Sequence, residues 1–306
     1  AVCILPDEEE ERMRKYMHKQ RILVKQIWFL DRQDEKKRIS LTMRTRGGQC
    51  LTMKEVAKHL SHVCGCRMVP SRDSKAVLNS EWRTVLFCED VNYKVLYGVA
   101  RVTKERETIS GDNYACAATD EQFTMCLSDG MGSGMEASKE SETVVELFEQ
   151  FLRAGFLRET AARMINSMLL LQPKEGMFST FDVASVNLYT GVCSFMKGGA
   201  SPTLLRRDTW VEVVESTSLA AGLVSPMDFD TTTKKMYDGD YLVMMTDGVL
   251  DALPGEKTEQ MKQLLLGVKS SEPREVAREL LERVLRLNGC RARDDMTVLV
   301  ARIWKK

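Results

Sequence analysis

Two hydrophobic periods alternate along this chain. Near its start Met13, Tyr16, Met17 and Leu23, with Gln20 among them, recur at helical spacing between many charges, which predicts an amphipathic, coiled-coil-like helix from Asp7 to about Leu23. Such a helix needs an apolar surface to lie on. Residues 22–31, 38–46 and 82–90 carry the β-branched and aromatic content of strands, and between them residues 51–65 return to helical spacing, with Thr52 as N-cap and Gly65 as stop. These elements make a small α/β segment, 1–91.

From Tyr93 the period shortens to that of strands: 93–102, then 112–118 and 122–129 around a charged hairpin tip at 119–122. Residues 135–155 then present Val144, Val145, Leu147, Phe148, Phe151 and Leu152 on one helical face and stop at Gly155, and 157–172 predict a second helix. Further strands are expected at 181–189, 192–199, 203–214 and 239–248. Helices follow at 258–268 and 273–288, the latter opened by Pro273 and closed by Gly289, and the chain closes on a strand at 294–304. Antiparallel strands with helical pairs in the middle and near the end predict an α+β fold: an αββα sandwich of two antiparallel sheets flanked by helices over 92–306, preceded by the α/β segment.

Charge narrows the partners. Lys plus Arg equals Asp plus Glu at 44 each, which leaves no global attraction to nucleic acid or an anionic membrane. No apolar run reaches the ~18 residues of a membrane span. The start turns acidic after five residues, too short for a signal peptide, and is expected to be a cut inside a longer chain, so a soluble cytoplasmic fragment is expected. The nine cysteines are scattered in apolar surroundings and read as small buried hydrophobes of a reducing compartment. His59, His62, Cys64 and Cys66 have zinc-ligand chemistry, but Cys64 and Cys66 are one residue apart rather than two to four, so a helix end is the better reading.

The chemistry is carried by carboxylates at strand ends: Asp112 in SGD, Asp129 in SDG, Asp247 in TDG, and Asp294 and Asp295 in RDD. A single Asp-Gly is usually a turn. Here two such pairs close apolar strands and DDMTVLV opens a third, which would hold the carboxylates on a rigid scaffold facing one cleft. Converging carboxylates repel unless cations neutralise them, and an all-oxygen set selects hard ions such as manganese or magnesium. Two such ions can activate a water for in-line attack on phosphorus while shielding the phosphate.

The segments SGDNY, SDGMGSG, FSTFDVASVNL, GGASPTLLRR, YLVMMTDG and DDMTVLVARI, in this order, resemble the metal-dependent protein phosphatases of type 2C, and most closely their stage II sporulation protein E branch. The resemblance runs from about residue 93 to the end. It implies a two-ion site, Mn2+ or Mg2+, in which Asp112, Asp129, Asp247 and Asp294 are ligands, Asp129 bridges both ions and Gly130 contributes its carbonyl. Asp129 and Asp247 would be the catalytic core. Where the family has Asp-Asn this chain has Asp294-Asp295, so Asp295 is the alternative ligand. Larger members hold the substrate phosphate with an arginine just ahead of the first aspartate; Arg106 is the candidate here, although its spacing departs from that pattern.

The resemblance further implies a phosphoserine substrate on an anti-anti-sigma protein, sigma factor control during sporulation, and a regulatory role for 1–91. It also implies a homodimer through the helical region, a division or membrane-associated partner for upstream segments, and anchoring of the full-length protein at the inner membrane or septum. A stress-response phosphatase of the same family and a non-catalytic scaffold are the alternatives. Because Asp129 and Gly130 lead through Gly132, Ser133 and Gly134 directly into the helix at 135–155, a shift of that helix is expected to alter ion binding.

Overall fold

The computed structural model describes residues 2–3, 7–30, 36–71, 74, 77–132, 134–171, 178–224 and 229–306. Contacts divide the chain into two compact units, Ala1–Val91 and Asn92–Lys306.

In the first unit the elements run β1 (Val2–Cys3), α1 (Asp7–Lys19), β2 (Ile22–Leu30), β3 (Arg38–Thr45), β4 (Leu51–Thr52), α2 (Met53–Cys64), β5 (Met68–Pro70), β6 (Val77–Leu78) and β7 (Arg83–Glu89). An antiparallel sheet of order β1-β2-β3-β7-β5 forms the body. Strand β3 alternates, with Ile39, Leu41, Met43 and Thr45 buried, and its apolar face packs with Met13 and Met17 of α1 and Val56 and Leu60 of α2. Helix α1 therefore finds its apolar surface within its own unit. It ends sooner than its pattern predicts: Arg21 takes a left-handed turn at φ 60, and Ile22 and Leu23 belong to β2.

Helix α2 begins and ends as predicted. The Thr52 hydroxyl accepts from Glu55 N at 3.2 Å while the Glu55 carboxylate accepts from Thr52 N at 2.7 Å, which satisfies donors the first turn leaves open. Gly65 stops it at φ 68, its N–H donating to Ser61 O. His62 stacks on Tyr16 with ring centroids 5.0 Å apart, and burial pushes the Cys64 thiol up to about 11, which favours the protonated form over a thiolate ligand.

The second unit runs β8 (Tyr93–Val102), β9 (Asp112–Ala118), β10 (Gln122–Asp129), α3 (Gly134–Arg153), α4 (Arg158–Leu170), β11 (Phe181–Asn187), β12 (Val192–Gly198), β13 (Thr203–Arg207), β14 (Trp210–Val214), β15 (Asp230–Lys235), β16 (Tyr241–Met245), α5 (Asp247–Asp251), α6 (Lys257–Leu266), α7 (Pro273–Leu287) and β17 (Met296–Lys305). Its strands form two antiparallel sheets, β15-β12-β11-β10-β9 and β14-β13-β16-β17-β8. Cys126, Phe181, Val183 and Met196 of the first sheet pack under α3 and α4. Leu204, Val243, Met245, Val298 and Val300 of the second pack under α6 and α7.

Successive strand residues point to opposite faces, so the intervening Met125, Leu127, Leu205, Met244 and Leu299, also buried, fill the space between the sheets. Burial on both faces explains why these strands read as continuous apolar runs, and the layering is the predicted αββα sandwich. The structure departs from the expected elements in three places here: the strand expected at 203–214 is the hairpin β13-β14, β15 was not foreseen, and the strand expected over 239–248 ends at Met245, with the short helix α5 starting at Asp247. Ser133, placed by the sequence in the link to α3, lies outside the described residues.

Close backbone approach fixes how the helices seat. A Cβ on Gly98 of β8 would stand 2.3 Å from the Arg274 backbone at the start of α7. Gly98→Ala is expected to destabilise the second unit by about 1–3 kcal/mol, read as a lower urea midpoint with an unchanged slope.

Candidate metal centre

The carboxylates singled out from the sequence lie at one end of the sandwich because of strand register. Asp112 opens β9 and Asp129 closes β10, and the two pair directly across the ladder. Strands β16 and β17 are neighbours in the opposing sheet, paired at Met245 and Val298, which brings the Asp247 that follows β16 to the same end as the Asp294-Asp295 that precedes β17.

Asp112 is fully buried. Its Oδ2 accepts from the Thr246 hydroxyl at 3.0 Å and the Thr297 hydroxyl at 2.6 Å, bonds that run from one sheet to the other. Its Oδ1 is buried with no hydrogen-bond partner. A lone pair left bare in this way is costly unless a ligand or cation takes it. Burial pushes the Asp112 carboxyl up to about 6, partly offset by the two threonine bonds.

Asp129 is held through its backbone. Its N–H donates to Thr180 Oγ1 at 2.8 Å, and its carbonyl accepts from Thr180 N at 2.9 Å and Ser179 Oγ at 2.7 Å. Its carboxyl meets that of Asp247 within hydrogen-bond reach, and burial together with the charges of Asp112, Asp247 and Asp294 pushes it up to about 9. Four carboxylates thus act on one another electrostatically, the condition under which divalent cations become the natural counter-charge. Among the described residues no three metal-ligating side chains already surround a single point. The donor set is all oxygen, and with the bare Oδ1 of Asp112 it fits hard divalent cations.

The glycines are required by contact. A Cβ on Gly130 would stand 2.1 Å from Ala137 O in α3, and one on Gly248 would stand 2.1 Å from Asp295 O. Asp129-Gly130 and Asp247-Gly248 are therefore close crossings of backbone on backbone, which is the physical content of the two Asp-Gly signals.

The Asp294-Asp295 pair divides its labour. Asp295 is buried, and its two carboxylate oxygens accept from Lys104 N at 2.9 Å and Gly111 N at 2.7 Å. Asp294 remains half exposed, bonded at one oxygen to Asp295 N at 3.0 Å and 3.6 Å from Lys104 Nζ. Asp294 is the one with free ligand capacity.

Arg106 forms no hydrogen bond or ion pair with the carboxylates of the cluster. It is exposed in the left-handed region at φ 71 and makes no ion pair or hydrogen bond with a described residue. Arg101, which the sequence did not single out, donates to the Asp112 carbonyl at 2.6 Å. Also unforeseen is a pair between the sheets: Lys197 Nζ lies 2.6 Å from Asp182 Oδ1, both at most 2% exposed, and donates to Thr203 Oγ1 at 2.8 Å. A cavity of about 20 Å3 beside Asp182 is lined also by Asp129, Thr180, Thr246 and Asp247. A buried lysine at the end of an apolar strand, MKGG, was the only trace of this in the sequence. Gly199 there forms the predicted turn, at φ 62.

Comparison with known proteins agrees with this architecture. The family model of stage II sporulation protein E (SpoIIE) matches residues 119–304. SpoIIE of Bacillus subtilis is 30% identical over 253 residues, 82% of this chain and 31% of that protein, and SpoIIE of Priestia megaterium is 30% identical over 259 residues, 84% of this chain and 44% of that protein. The chain thus spans less than half the length of these relatives. The structure of the PP2C phosphatase domain of Bacillus subtilis SpoIIE with a fragment of its regulatory domain superposes with a TM-score of 0.73 at 26% identity, covering 98% of this chain and 88% of that one. RsbX, solved in complex with magnesium, shares the fold at 20% identity and a TM-score of 0.54, over 70% of this chain and 97% of that one. The chain belongs to the stage II sporulation protein E family, and its Asn92–Lys306 unit has the fold of a PP2C-type serine/threonine phosphatase domain.

Proposed function

We propose that the Asn92–Lys306 unit hydrolyses phosphoserine on a protein, using two divalent cations, manganese or magnesium, held by Asp112, Asp129, Asp247, Asp294 and the Gly130 carbonyl. The observation that carries this reading is the buried, unpartnered Oδ1 of Asp112 directly across the ladder from Asp129. When bound, the cations supply positive charge that shields the phosphate and makes a water acidic enough to attack phosphorus. The protein's part is positioning. Thr246 and Thr297 aim the free oxygen of Asp112, Ser179 and Thr180 fix the backbone of Asp129, and Asp295 holds the loop behind Asp112 while leaving Asp294 open. Asp129, in reach of Asp112 and Asp247 alike, suits the bridging role.

The substrate proposed is the phosphoserine of an anti-anti-sigma protein, with sigma factor control in sporulation as the outcome. The sporulation branch is favoured over the stress-response branch by 30% identity against 19% to the phosphoserine phosphatase RsbU of Bacillus subtilis. The first unit is proposed to be regulatory, the chain to dimerise through its helical region, and the full-length protein to meet a division or membrane-associated partner at the inner membrane or septum. No helix among the described residues is long and apolar enough to cross a membrane. Regulation through α3 is supported by its ties to the centre. Ser141 Oγ donates to the Gly111 carbonyl, Asn113 Nδ2 donates to Ser141 Oγ at 2.9 Å, and Gly130 lies on Ala137.

With manganese and a phosphoserine protein, Asp129→Asn and Asp247→Asn are each expected to lower kcat/KM by about a hundredfold or more. Wild-type activity in both, or full activity without divalent cations, counts against the mechanism. Asp294→Asn is expected to weaken Mn2+ binding at little cost in stability, whereas Asp295→Asn loses charge-assisted bonds to backbone and destabilises by about 1.5–3 kcal/mol, measured by calorimetry and urea unfolding.

The raised carboxyls of Asp112 and Asp129 bind protons more tightly folded than unfolded, where the ordinary value is 3.8. Their contribution to the stability of the cation-free protein is complete below about pH 4 and is lost as pH rises through about 6 and about 9. Between pH 5 and 9, melting of the cation-free protein is expected to decline more steeply for wild type than for Asp129→Asn. Mn2+ affinity should rise over the same range as the protons leave.

A further inference from the structure

A centre that turns over phosphoserine must hold a phosphate dianion beside four carboxylates. Arg106 makes no ion pair or hydrogen bond with a described residue, but another cation pairs with one of these carboxylates. Lys104 Nζ is 3.6 Å from Asp294 Oδ1, and its side chain is 35% exposed, so the ammonium sits against Asp294 on one side and is open to solvent on the other.

The root of this lysine is fixed. Lys104 N and Gly111 N donate to the two oxygens of buried Asp295, Glu105 N donates to Ala292 O at 2.9 Å, and Glu107 N donates to Lys104 O at 3.1 Å. One carboxylate therefore pins both ends of the 104–111 loop, and the residue after Gly111 is Asp112. The distance from the lysine's backbone to the cluster is set by the same group that sets Asp112.

We infer that Lys104 is the side chain that grips the substrate phosphate, presented to the centre by the Asp295 clamp. The inference rests on the phosphatase reading above. A partly exposed ion pair such as Lys104–Asp294 is weak and readily exchanged. Once Asp294 serves a divalent cation, the ammonium is released to the arriving dianion. A compact charge with three rotatable donors suits a phosphate that changes from ester to free anion during turnover.

The test compares the full chain with Lys104→Met, Lys104→Gln and Lys104→Arg, all loaded with manganese. Two quantities are read: KM for a phosphoserine peptide, and the dissociation constant of inorganic phosphate by titration calorimetry. Lys104→Met and Lys104→Gln should raise both by about tenfold or more, Lys104→Arg should recover most of the loss, and kcat should fall less than KM rises. Mn2+ should bind the Met and Gln variants as tightly as wild type or a few-fold more tightly, because a cation competing for Asp294 is gone. A phosphate dissociation constant within twofold of wild type in Lys104→Met overturns the inference, as does a larger effect from Arg106→Met. Weakened Mn2+ binding or a lowered melting temperature in both neutral variants would mark Lys104 as structural and also overturn it. If wild type hydrolyses no phosphoserine ester with any divalent cation, the phosphatase reading itself fails, and the phosphate titration still decides whether Lys104 binds the anion.

Discussion

One oxygen of Asp112 is held by hydroxyls from the opposing sheet and the other has no hydrogen-bond partner among the described residues, all of it in a buried position. Everything near the centre is arranged around that carboxylate. It links the two sheets through Thr246 and Thr297, so the sandwich and the site are not separable structures. Burial of a carboxyl without a counter-charge works against its ionisation, and Asp129 adds a second such group in the same place. The fold therefore carries an electrostatic cost that a divalent cation would relieve.

Backbone contact is the second constraint. Gly130 lies on α3 and Gly248 on the Asp294-Asp295 segment so closely that no side chain fits between. Each Asp-Gly pair places a carboxylate and removes an obstacle in the same step. Gly130 touches Ala137, and Ser141 and Asn113 tie the same helix to the Gly111-Asp112 end of β9, so α3 is in direct contact with the backbone that carries Asp112 and Asp129. A coupling between a helix and an ion site needs a contiguous set of contacts with two arrangements, and here the contacts of one arrangement are visible.

Asp295 shows how a carboxylate beside the proposed ligand Asp294 can hold backbone instead. By accepting two backbone N–H groups it closes the loop that begins at Lys104 and ends at Gly111. The Lys197–Asp182 pair plays a comparable part deeper in the sandwich, where charges with almost no exposure cross from β12 and β11 toward Thr203 of β13 beside the cavity that Asp129 and Asp247 also line. Pairs of this kind add little net stability but are costly to break on one side, and so they hold position.

The hydrophobic periods by themselves determined the longer elements and their layering. Strands buried on both faces read as apolar runs, α2 declared its ends through Thr52 and Gly65, and the carboxylates at strand ends marked the site because a charge that terminates an apolar run has few structural uses. Local signals of this kind depend on neighbours within a few residues, and the chain supplies those directly. What the tertiary structure decided depends on residues far apart in sequence. That Asp295 is spent on Lys104 and Gly111 while Asp294 is left free follows from contacts across more than 180 positions. That α1 stops at Lys19 and seats within its own unit follows from the turn at Arg21 and the sheet beneath it. That Lys104 lies 3.6 Å from Asp294, 190 positions away, is likewise set by the folded loop that Asp295 holds. Proximity to a site is a property of the folded backbone, and charge in a sequence carries no direction until that backbone gives it one.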